Sequence, residues 1–453
     1  MTVNRSHLPE PGPARPFRFP VIDKSSIANG LRVWTVRHPA IPVVTIMLLL
    51  RRGAASDPPG KEGLAAITLD MLDEGSGGRS AIEMHEELAR LGAHLDSDIG
   101  SDATLLTVTA LSRFTAESLT LLADIAARPS LTEQDFLRVR QLRLHRLKQL
   151  RDVPGAVADR AFLRLLYGSH PYGHTPLGSE QALTGLTIDD VRAFHATVIR
   201  PAEATLMASG DCDHTEIHRL AASAFADWQG ASNADAVETP QPAPPARLHI
   251  VPRPGAQQSE LRIGHVAAQR DTPDYHALVA ANMVLGGQFI SRINLNLRED
   301  KGLTYGGRTA FDFRRQPGPF ALQVSVETSA TGRAIRESIS EISAIRGPRP
   351  VTPDELTMGV AALTRGFARS FETAEQMARA MTQLALFDLP DDYYDQFVPR
   401  IEHVTVDEIT RVAALHLDPS RLTTLIVGDF DTIGGDLAQL DMGVPVVLST
   451  EAF

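Results

Sequence analysis

GGQFISR (residues 286–292), which continues to LREDKGLTY (residues 297–305), is the most informative segment of this 453-residue chain. Lys301-Gly302 is a helix-terminating pair, because glycine readily adopts the backbone conformation that ends a helix. It predicts a helix whose last residue is Arg298, followed by a strand that begins at Leu303. The side chains of Arg298 and Tyr305 would then converge on one opening. Both are hydrogen-bond donors, although Arg298 could equally pair with Glu299 or Asp300.

This run resembles the second-half signature of the pitrilysin, insulysin and mitochondrial-processing-peptidase family of zinc peptidases. The first half of that family carries His-x-x-Glu-His, the inverted zinc motif. The matching segment here reads GLAAITLDMLDEGS (residues 63–76). The residues around the motif match the family. The two zinc-binding histidines are replaced by Ala66 and Asp70, and the glutamate that acts as general base is replaced by Leu69. The sequence therefore predicts a degenerate zinc motif.

A catalytic zinc needs about three protein ligands, an open position and a nearby general base. Alanine and leucine cannot bind a metal, and one aspartate is a poor anchor for zinc. The resemblance places the third ligand just before the turn Asp152-Val153-Pro154, near Arg146, where a cation would repel zinc. His-x-x-Glu-His occurs nowhere in the chain. We therefore expect this chain to bind no metal and no cofactor.

Two histidine pairs are weaker candidates for a metal site. His170 and His174 are four residues apart, but Pro171, Gly173 and Pro176 argue against a shared helix. If Asp213 caps a helix, His214 and His218 would lie on one face of it, near Asp211 and Cys212. The simpler interpretation of that second pair is an N-capped surface helix that follows a strand.

The sequence indicates an internal duplication. A helix opened by a threonine and a strand ending in Gly-Asp occur near residues 187–211 and again near residues 405–429, which predicts two copies of one fold. We predict a flexible N-terminal segment (residues 1–23), a peptidase-like domain with the degenerate zinc motif (24–235), a Pro/Ala linker (236–247) and a peptidase-like domain carrying Arg298 and Tyr305 (248–453).

The predicted fold class is α+β, with two homologous halves that form a clam-like shell. Each half is a mostly antiparallel sheet covered on one face by helices. In the first half we predict strands at residues 31–37, 43–51 and 103–110, helices from about 62 and 81, and a long helix over 130–150. The family binds peptides partly as an added strand on a sheet edge. Residues 92–106 occupy the corresponding hairpin, for which a solvated loop is the simpler prediction.

Composition narrows the class of protein. The apolar fraction is 43%, the charged fraction 22% and the net charge −11. These values are typical of a globular protein, and no basic run interleaved with aromatics suggests nucleic acid as a partner. Cys212 is the only cysteine, which excludes an intramolecular disulfide. The longest apolar run, residues 43–50, is too short for a membrane helix. The polar N-terminus lacks the core of a signal peptide, so we expect a cytoplasmic protein, or a periplasmic one if a leader was trimmed.

Some members of the family work as pairs, in which one subunit carries zinc and its sister supplies the Arg and Tyr. The resemblance implies that this chain is such a sister. It would be inactive alone and would form one wall of a peptide chamber. Its Arg298 and Tyr305 would enter the partner's zinc site and bind the peptide carbonyl there. Two alternatives stay open. The chain is a structural or peptide-binding subunit of a larger assembly, or it is an enzyme with a relocated metal at His214 and His218.

Overall fold

The computed structural model describes residues 17–230, 237–240 and 248–449. Its strands are β1 (Asp23–Ser26), β2 (Arg32–Arg37), β3 (Val43–Leu50), β4 (Gly75–Ser76), β5 (Arg79–Ser80), β6 (His94–Ile99), β7 (Thr104–Leu111), β8 (Ala204–Gly210), β9 (Leu248–Pro252), β10 (Gln258–Val266), β11 (Gly307–Phe311), β12 (Pro319–Glu327), β13 (Thr423–Gly428) and β14 (Val446–Val447).

The helices lie mostly between the strand groups. They are α1 (Leu64–Leu72), α2 (Ala81–Leu91), α3 (Thr115–Ala127), α4 (Glu133–Leu150), α5 (Pro154–Tyr167), α6 (Glu180–Gly185), α7 (Ile188–Val198), α8 (His214–Ala224), α9 (Tyr275–Asn282), α10 (Arg292–Asn294), α11 (Thr331–Ala344), α12 (Pro353–Thr364), α13 (Ala374–Leu386), α14 (Tyr393–Glu402), α15 (Val406–His416) and α16 (Phe430–Leu437). Two π-helical segments, Met283–Gly287 and Leu295–Asp300, follow α9 and α10.

The two large sheets repeat one topology. The first has the order β1-β2-β8-β3-β7-β6. The second, taken from the corresponding edge, has the order β14-β9-β13-β10-β12-β11. In the first sheet β2 and β8 are parallel, and in the second β9 and β13 are parallel. From each parallel pair out to the edge strand, β6 in the first sheet and β11 in the second, neighbouring strands are antiparallel. This shared order confirms the two mostly antiparallel sheets, and the matched succession supports the predicted duplication.

Local sequence explains most element boundaries. Thr132, Thr187, Thr352 and Thr405 each cap a helix, with the threonine side chain accepting from the backbone N–H three residues on. Such caps satisfy amides that have no partner inside the helix. The predicted helix over residues 130–150 is therefore observed as α4. Within it, Leu142 is 56% exposed rather than part of the buried face.

The halves exchange helices. On its second face the first sheet is covered by α13, whose Met377, Met381 and Leu384 pack against residues such as Met47 and Met207. The second sheet is covered in the same way by α5. Each sheet is therefore covered on both faces, not on one as predicted, and the other half supplies the second layer. Because each core is completed by the opposite half, the halves are packed as a single unit.

The N-terminal part that the structure describes also crosses between the halves. The ring of Phe17 stacks on Phe371 at 4.7 Å between centroids, and the Phe19 N–H donates to the Asp395 carboxylate at 2.7 Å. The rest of the predicted flexible segment, residues 1–16, lies outside the described residues. So does most of the predicted linker, of which only residues 237–240 are described. The predicted domain boundaries stay predictions.

Cutting the chain within residues 241–247, through an engineered protease site, is expected to leave the two fragments associated. Each fragment contributes a buried layer to the other's core, and burial of apolar surface drives association. Size-exclusion chromatography of the cut chain should show one species at the size of the uncut chain. The same cut in a Met381→Asp background should release the fragments, because it places a charge in the exchanged layer. Dissociation of the cut wild-type chain would contradict the exchange.

Candidate functional site

Two π-helical segments and the turn between them build the region around Arg298. Segments of this kind are rare and occur frequently at functional sites. Gly286 lies against β11 so closely that a Cβ atom there would come within 2.5 Å of the Thr309 hydroxyl. Any larger residue at position 286 would push the segment away from the sheet. Gly286 therefore allows the chain to lie close to β11 just before the next turn begins.

Asn294 ties the turn to the sheet. Its side-chain amide donates to the Gln288 carbonyl at 3.1 Å, and its carbonyl oxygen accepts from the Gly307 N–H at 2.9 Å. Asn294 is only 6% exposed, so these bonds form in a water-poor setting where they are strong. Gln288 precedes Phe289, and Gly307 follows Tyr305 by two residues. The Asn294 side chain thus fixes the loop that precedes the helical segment carrying Arg298 and the loop that follows it.

Tyr305 lies in a loop and not on a strand. The strand predicted to begin at Leu303 begins at Gly307, which is the first residue to pair with β12. Gly302 has a positive φ of 60°, and the Thr304 hydroxyl donates to the Ser325 carbonyl at 2.7 Å. These features turn the chain before it can join the sheet. Tyr305 is consequently 94% exposed, and its hydroxyl has no hydrogen-bond partner within the described part of the chain.

Arg298 lies on the π-helical segment, which ends at Asp300, two residues later than predicted. Its side chain is 28% exposed, and its nearest acidic atom is Glu299 Oε1, 3.3 Å from Nη2. The inner nitrogen, Nη1, is buried and without an acceptor among the described residues. The Phe289 ring covers the guanidinium, with 3.8 Å between Cζ and the ring centroid. The predicted donor is therefore at the surface and is not committed to an internal hydrogen bond.

Arg292, six residues earlier, has the opposite environment. Its guanidinium is 4% exposed and binds Glu355 through two hydrogen bonds of 2.7 Å. It also donates to the carbonyls of Arg349 and Pro350. Burial opposes ionisation of Glu355, yet the contact with Arg292 holds the pKa of that carboxyl below its ordinary value. Arg292 is therefore a structural residue that anchors the helix to α12.

The degenerate zinc motif lies on α1 as predicted. Ala66 and Leu69 are buried at 2% and 4% exposure, and neither has an atom that can bind a metal. Asp70 is the one possible ligand, and its carboxylate accepts from Arg143 Nη1 of α4 at 2.5 Å. The cation expected near Arg146 is therefore Arg143, about one helical turn earlier, and Arg146 is exposed. Residues with this chemistry do not fit zinc.

Asp57 holds the beginning of α1 in place. Its two oxygens accept from the N–H groups of Gly63 and Ala65, each at 2.6 Å, and His174 Nε2 lies 3.1 Å from the same carboxylate. The carboxylate is fully buried. The helix has no side-chain cap of its own at Gly63, so Asp57 supplies it from the preceding turn. The helix frame is thus preserved although its metal chemistry is lost.

The histidine pairs are engaged in structural contacts. His170 and His174 flank a short turn and do not share a helix. His214 and His218 lie on α8, capped by Asp213 as predicted, but their Nδ1 atoms contact the hydroxyls of Thr35 (2.6 Å) and Ser25 (2.8 Å). Among residues 17–230, 237–240 and 248–449, no three His, Cys, Asp or Glu side chains gather into a group that could hold a metal.

The edge of the first sheet differs from its prediction. Residues 94–99 form β6, which among the described strands pairs with β7 alone, so the segment is an edge strand and not a solvated loop. Asp96 and Asp98 are exposed on it, and Asp96 lies 3.7 Å from Arg379 of α13. The alternation of exposed acids with half-buried Leu95 and Ile99 was the sequence signal for a strand.

Cys212 is expected to be unreactive in the folded chain. Burial, together with Asp211 and Asp213, raises the pKa of its thiol to about 12. Only the thiolate reacts with disulfide reagents, so little reactive form exists near neutral pH. Reaction with a chromogenic disulfide at pH 8 should be slow in buffer and rapid in concentrated urea. Equal rates in the two conditions would show that the thiol is accessible.

Comparison with known proteins now decides the family. Residues 32–178 match the family model described as insulinase (peptidase family M16), and residues 185–363 match the one described as peptidase M16 inactive domain. Together the matches span more than half of the chain. This chain is a member of peptidase family M16. The resemblance inferred from the signature is confirmed, and residues 185–363 are of the inactive-domain type.

Relatives of the M16 chain include zinc proteases of similar length. An uncharacterized zinc protease of Mycobacterium tuberculosis, Rv2782c, is 22% identical over 431 residues, covering 93% of this chain and 96% of its own. Another, YmxG of Bacillus subtilis, is 22% identical over 288 residues, covering 63% of this chain and 69% of its own.

Solved structures share the fold. A peptidase M16 inactive domain from Pseudomonas fluorescens superposes with a TM-score of 0.84 at 22% identity, covering 90% of this chain and 98% of its own. A protease from Helicobacter pylori superposes with a TM-score of 0.82 at 19% identity, covering 90% and 99%. In the part of the M16 chain that the structure describes, no helix has the length and apolar character to cross a membrane.

Three residues of the site were missed in the sequence. Phe289 and Asn294 stand inside the quoted signature, but only their contacts show that they organise it. Arg143 was missed because only its contact with Asp70 shows that it, and not Arg146, faces the motif helix. The helical spacing of Phe136, Val139 and Leu147, which are the buried residues of α4, carried a usable signal. Position 143 is four residues after Val139 and four before Leu147, on the same side of the helix.

Proposed function

We propose that this chain is the non-zinc-binding subunit of a heterodimeric zinc metalloendopeptidase. In this proposal Arg298 and Tyr305 bind the peptide carbonyl in the active site of a homologous partner. The partner bears an intact His-x-x-Glu-His motif and the zinc, and the two subunits enclose the peptide in a chamber. One contrast carries the proposal: the two signature donors make no hydrogen bond among the described residues, while the chain's own motif helix offers only Asp70, which Arg143 already engages.

The chemistry assigned to this chain is hydrogen-bond donation. When a peptide carbonyl is attacked, negative charge grows on its oxygen. Donors aimed at that oxygen stabilise the transition state by a few kcal/mol each. Tyr305 offers one O–H, and Arg298 offers Nη2, whose partner Glu299 is 55% exposed. Exposed ion pairs contribute little, so a substrate carbonyl replaces Glu299 at small cost. The metal and the water it activates belong to the partner in this scheme.

The exposure of Tyr305 favours this function over that of a structural subunit. A large aromatic side chain at 94% exposure contributes almost nothing to the packing of the chain itself. A purely structural subunit has no use for it there. The hydroxyl likewise stabilises no contact among the described residues. The simplest interpretation is therefore that a substrate or a partner subunit contacts this side chain.

Co-purification from the native host tests the pairing. We expect a companion of similar size with an intact His-x-x-Glu-His, and peptidase activity only when both chains are present. Elemental analysis should find zinc in the complex and none in this chain alone. Recovery of the chain by itself, or with a membrane complex, would overturn the proposal. Stoichiometric zinc in the isolated chain, lost on His214→Ala, would instead support a relocated metal site.

A further inference from the structure

The guanidinium of Arg298 is not held by hydrogen bonds. Arg292, in the same segment, donates four hydrogen bonds and is fixed by them. Arg298 donates none among the described residues, since Nη1 has no acceptor and Nη2 has only the 3.3 Å ion pair with Glu299. A long side chain without such bonds loses rotamer entropy whenever it must adopt one orientation. Something else must define its orientation if it is to act as an aimed donor.

The Phe289 ring is the contact that defines the plane of the guanidinium. Its centroid lies 3.8 Å from the Arg298 Cζ, well within the distance for a cation–π interaction. The ring is 66% exposed, so it is not at this position to fill the core. Stacking on an aromatic face restricts a guanidinium to one plane while leaving its edge free to donate.

The loop that carries Phe289 is itself fixed. The Asn294 amide holds the Gln288 carbonyl next to it, and the same side chain holds Gly307 beyond Tyr305. Asn294 is four residues before Arg298, close to one helical turn. The ring is therefore carried by a loop whose backbone is anchored to the helix that bears the arginine.

We propose that Phe289 is a positioning residue, which holds the Arg298 guanidinium by stacking so that Nη2 points outward to a peptide carbonyl. This inference rests on the proposed function of Arg298. It adds a residue that touches no reacting atom and acts through the arginine. Glu299 serves as the resting partner of Nη2, and the substrate carbonyl takes its place.

Nuclear magnetic resonance of the isolated chain tests the stacking without any partner. In a sample labelled with ¹⁵N-arginine, the Arg298 side-chain N–H signal should be shifted upfield by the ring current of Phe289. Arg298→Lys identifies the signal by its loss. The shift should disappear in Phe289→Leu and persist in Phe289→Tyr. A signal at the same position in wild type and Phe289→Leu would overturn the inference.

Kinetics of the reconstituted complex test the consequence. Phe289→Leu should lower kcat about tenfold with KM changed by less than about twofold, and Phe289→Tyr should restore kcat. The matched control is Ile290→Ala, which removes the neighbouring side chain, 56% exposed, and should leave kcat unchanged. In an Arg298→Ala background, Phe289→Leu should have no further effect, because the pair acts as one unit.

The two possible failures are distinguishable. If Arg298→Ala lowers kcat but Phe289→Leu does not, the positioning role is wrong and the proposed function stands. If Arg298→Ala leaves kcat unchanged while the ring-current shift is present, the stack is structural and the proposed function itself fails. If Phe289→Leu lowers kcat equally in the Arg298→Ala background, the ring acts independently of the arginine. That result also overturns the inference.

Discussion

Arg298→Ala in the reconstituted complex is expected to lower kcat by about 100-fold, and Tyr305→Phe by a similar factor. Each change removes a donor that the proposed mechanism aims at the carbonyl oxygen, and neither removes a side chain from the core. Tyr305→Phe deletes only the hydroxyl of a ring that is 94% exposed. Steady-state kinetics with a peptide substrate, at matched concentrations of both subunits, measures the effect.

Arg308→Ala is the matched control for this prediction. Arg308 is an exposed arginine on β11, close in sequence to Tyr305, and it contacts Gln323 of the neighbouring strand. Its loss should change kcat by less than about twofold if the effect at Arg298 is specific. Co-elution of each variant with the partner should match wild type. Turnover unchanged in both Arg298→Ala and Tyr305→Phe would remove their assigned role.

The largest loss of stability from a single polar substitution is expected for Asp57→Ala, about 3 kcal/mol of the free energy of unfolding. The substitution leaves the N–H groups of Gly63 and Ala65 without their acceptor in a buried setting. It also leaves His174 beside an empty position. Urea titration followed by circular dichroism should show a lower midpoint with an unchanged slope.

Asp213→Ala is the comparison for Asp57→Ala. Asp213 also caps a helix, accepting from the Glu216 N–H at 3.1 Å, but it is exposed. Water can satisfy the amide after the cap is lost, so a cost of about 1 kcal/mol is expected. Asp57→Asn, which keeps one acceptor oxygen, should lie between the two. Equal losses for Asp57→Ala and Asp213→Ala would show that burial of the cap contributes nothing.

Local signals in the sequence predicted the fold well. Thr187 and Thr405 mark helix starts through their own side chains, and β3 is a continuous apolar run because both of its faces are covered. Strand β6 was predicted less well, as one of its faces is solvated and its acids suggested a loop. The exchange of α5 and α13 left no local signal, since an apolar helix face does not specify which sheet it will cover.

The candidate site, too, was only partly predictable from the sequence. The side chains of Ala66 and Leu69 exclude zinc ligation by composition alone. That Asp70 is engaged by Arg143 and not Arg146 depended on how α4 packs against α1. Likewise, the sequence does not show how two arginines six residues apart in one signature differ in burial. Burial against Glu355 makes Arg292 structural, whereas the Phe289 ring covers Arg298 without accepting a hydrogen bond and leaves it available.

Residue identity and short-range spacing were enough to predict the family, the duplicated α+β fold and the loss of both zinc-binding histidines from the motif helix. Tertiary structure alone decided which helices complete which sheet, and that Tyr305 stands in a solvent-exposed loop and not on a strand. It also decided that an aromatic ring, rather than a hydrogen-bond acceptor, covers the Arg298 guanidinium. These outcomes depend on contacts between segments far apart in the chain or turned toward each other by a loop, and such contacts are set by packing of the whole molecule.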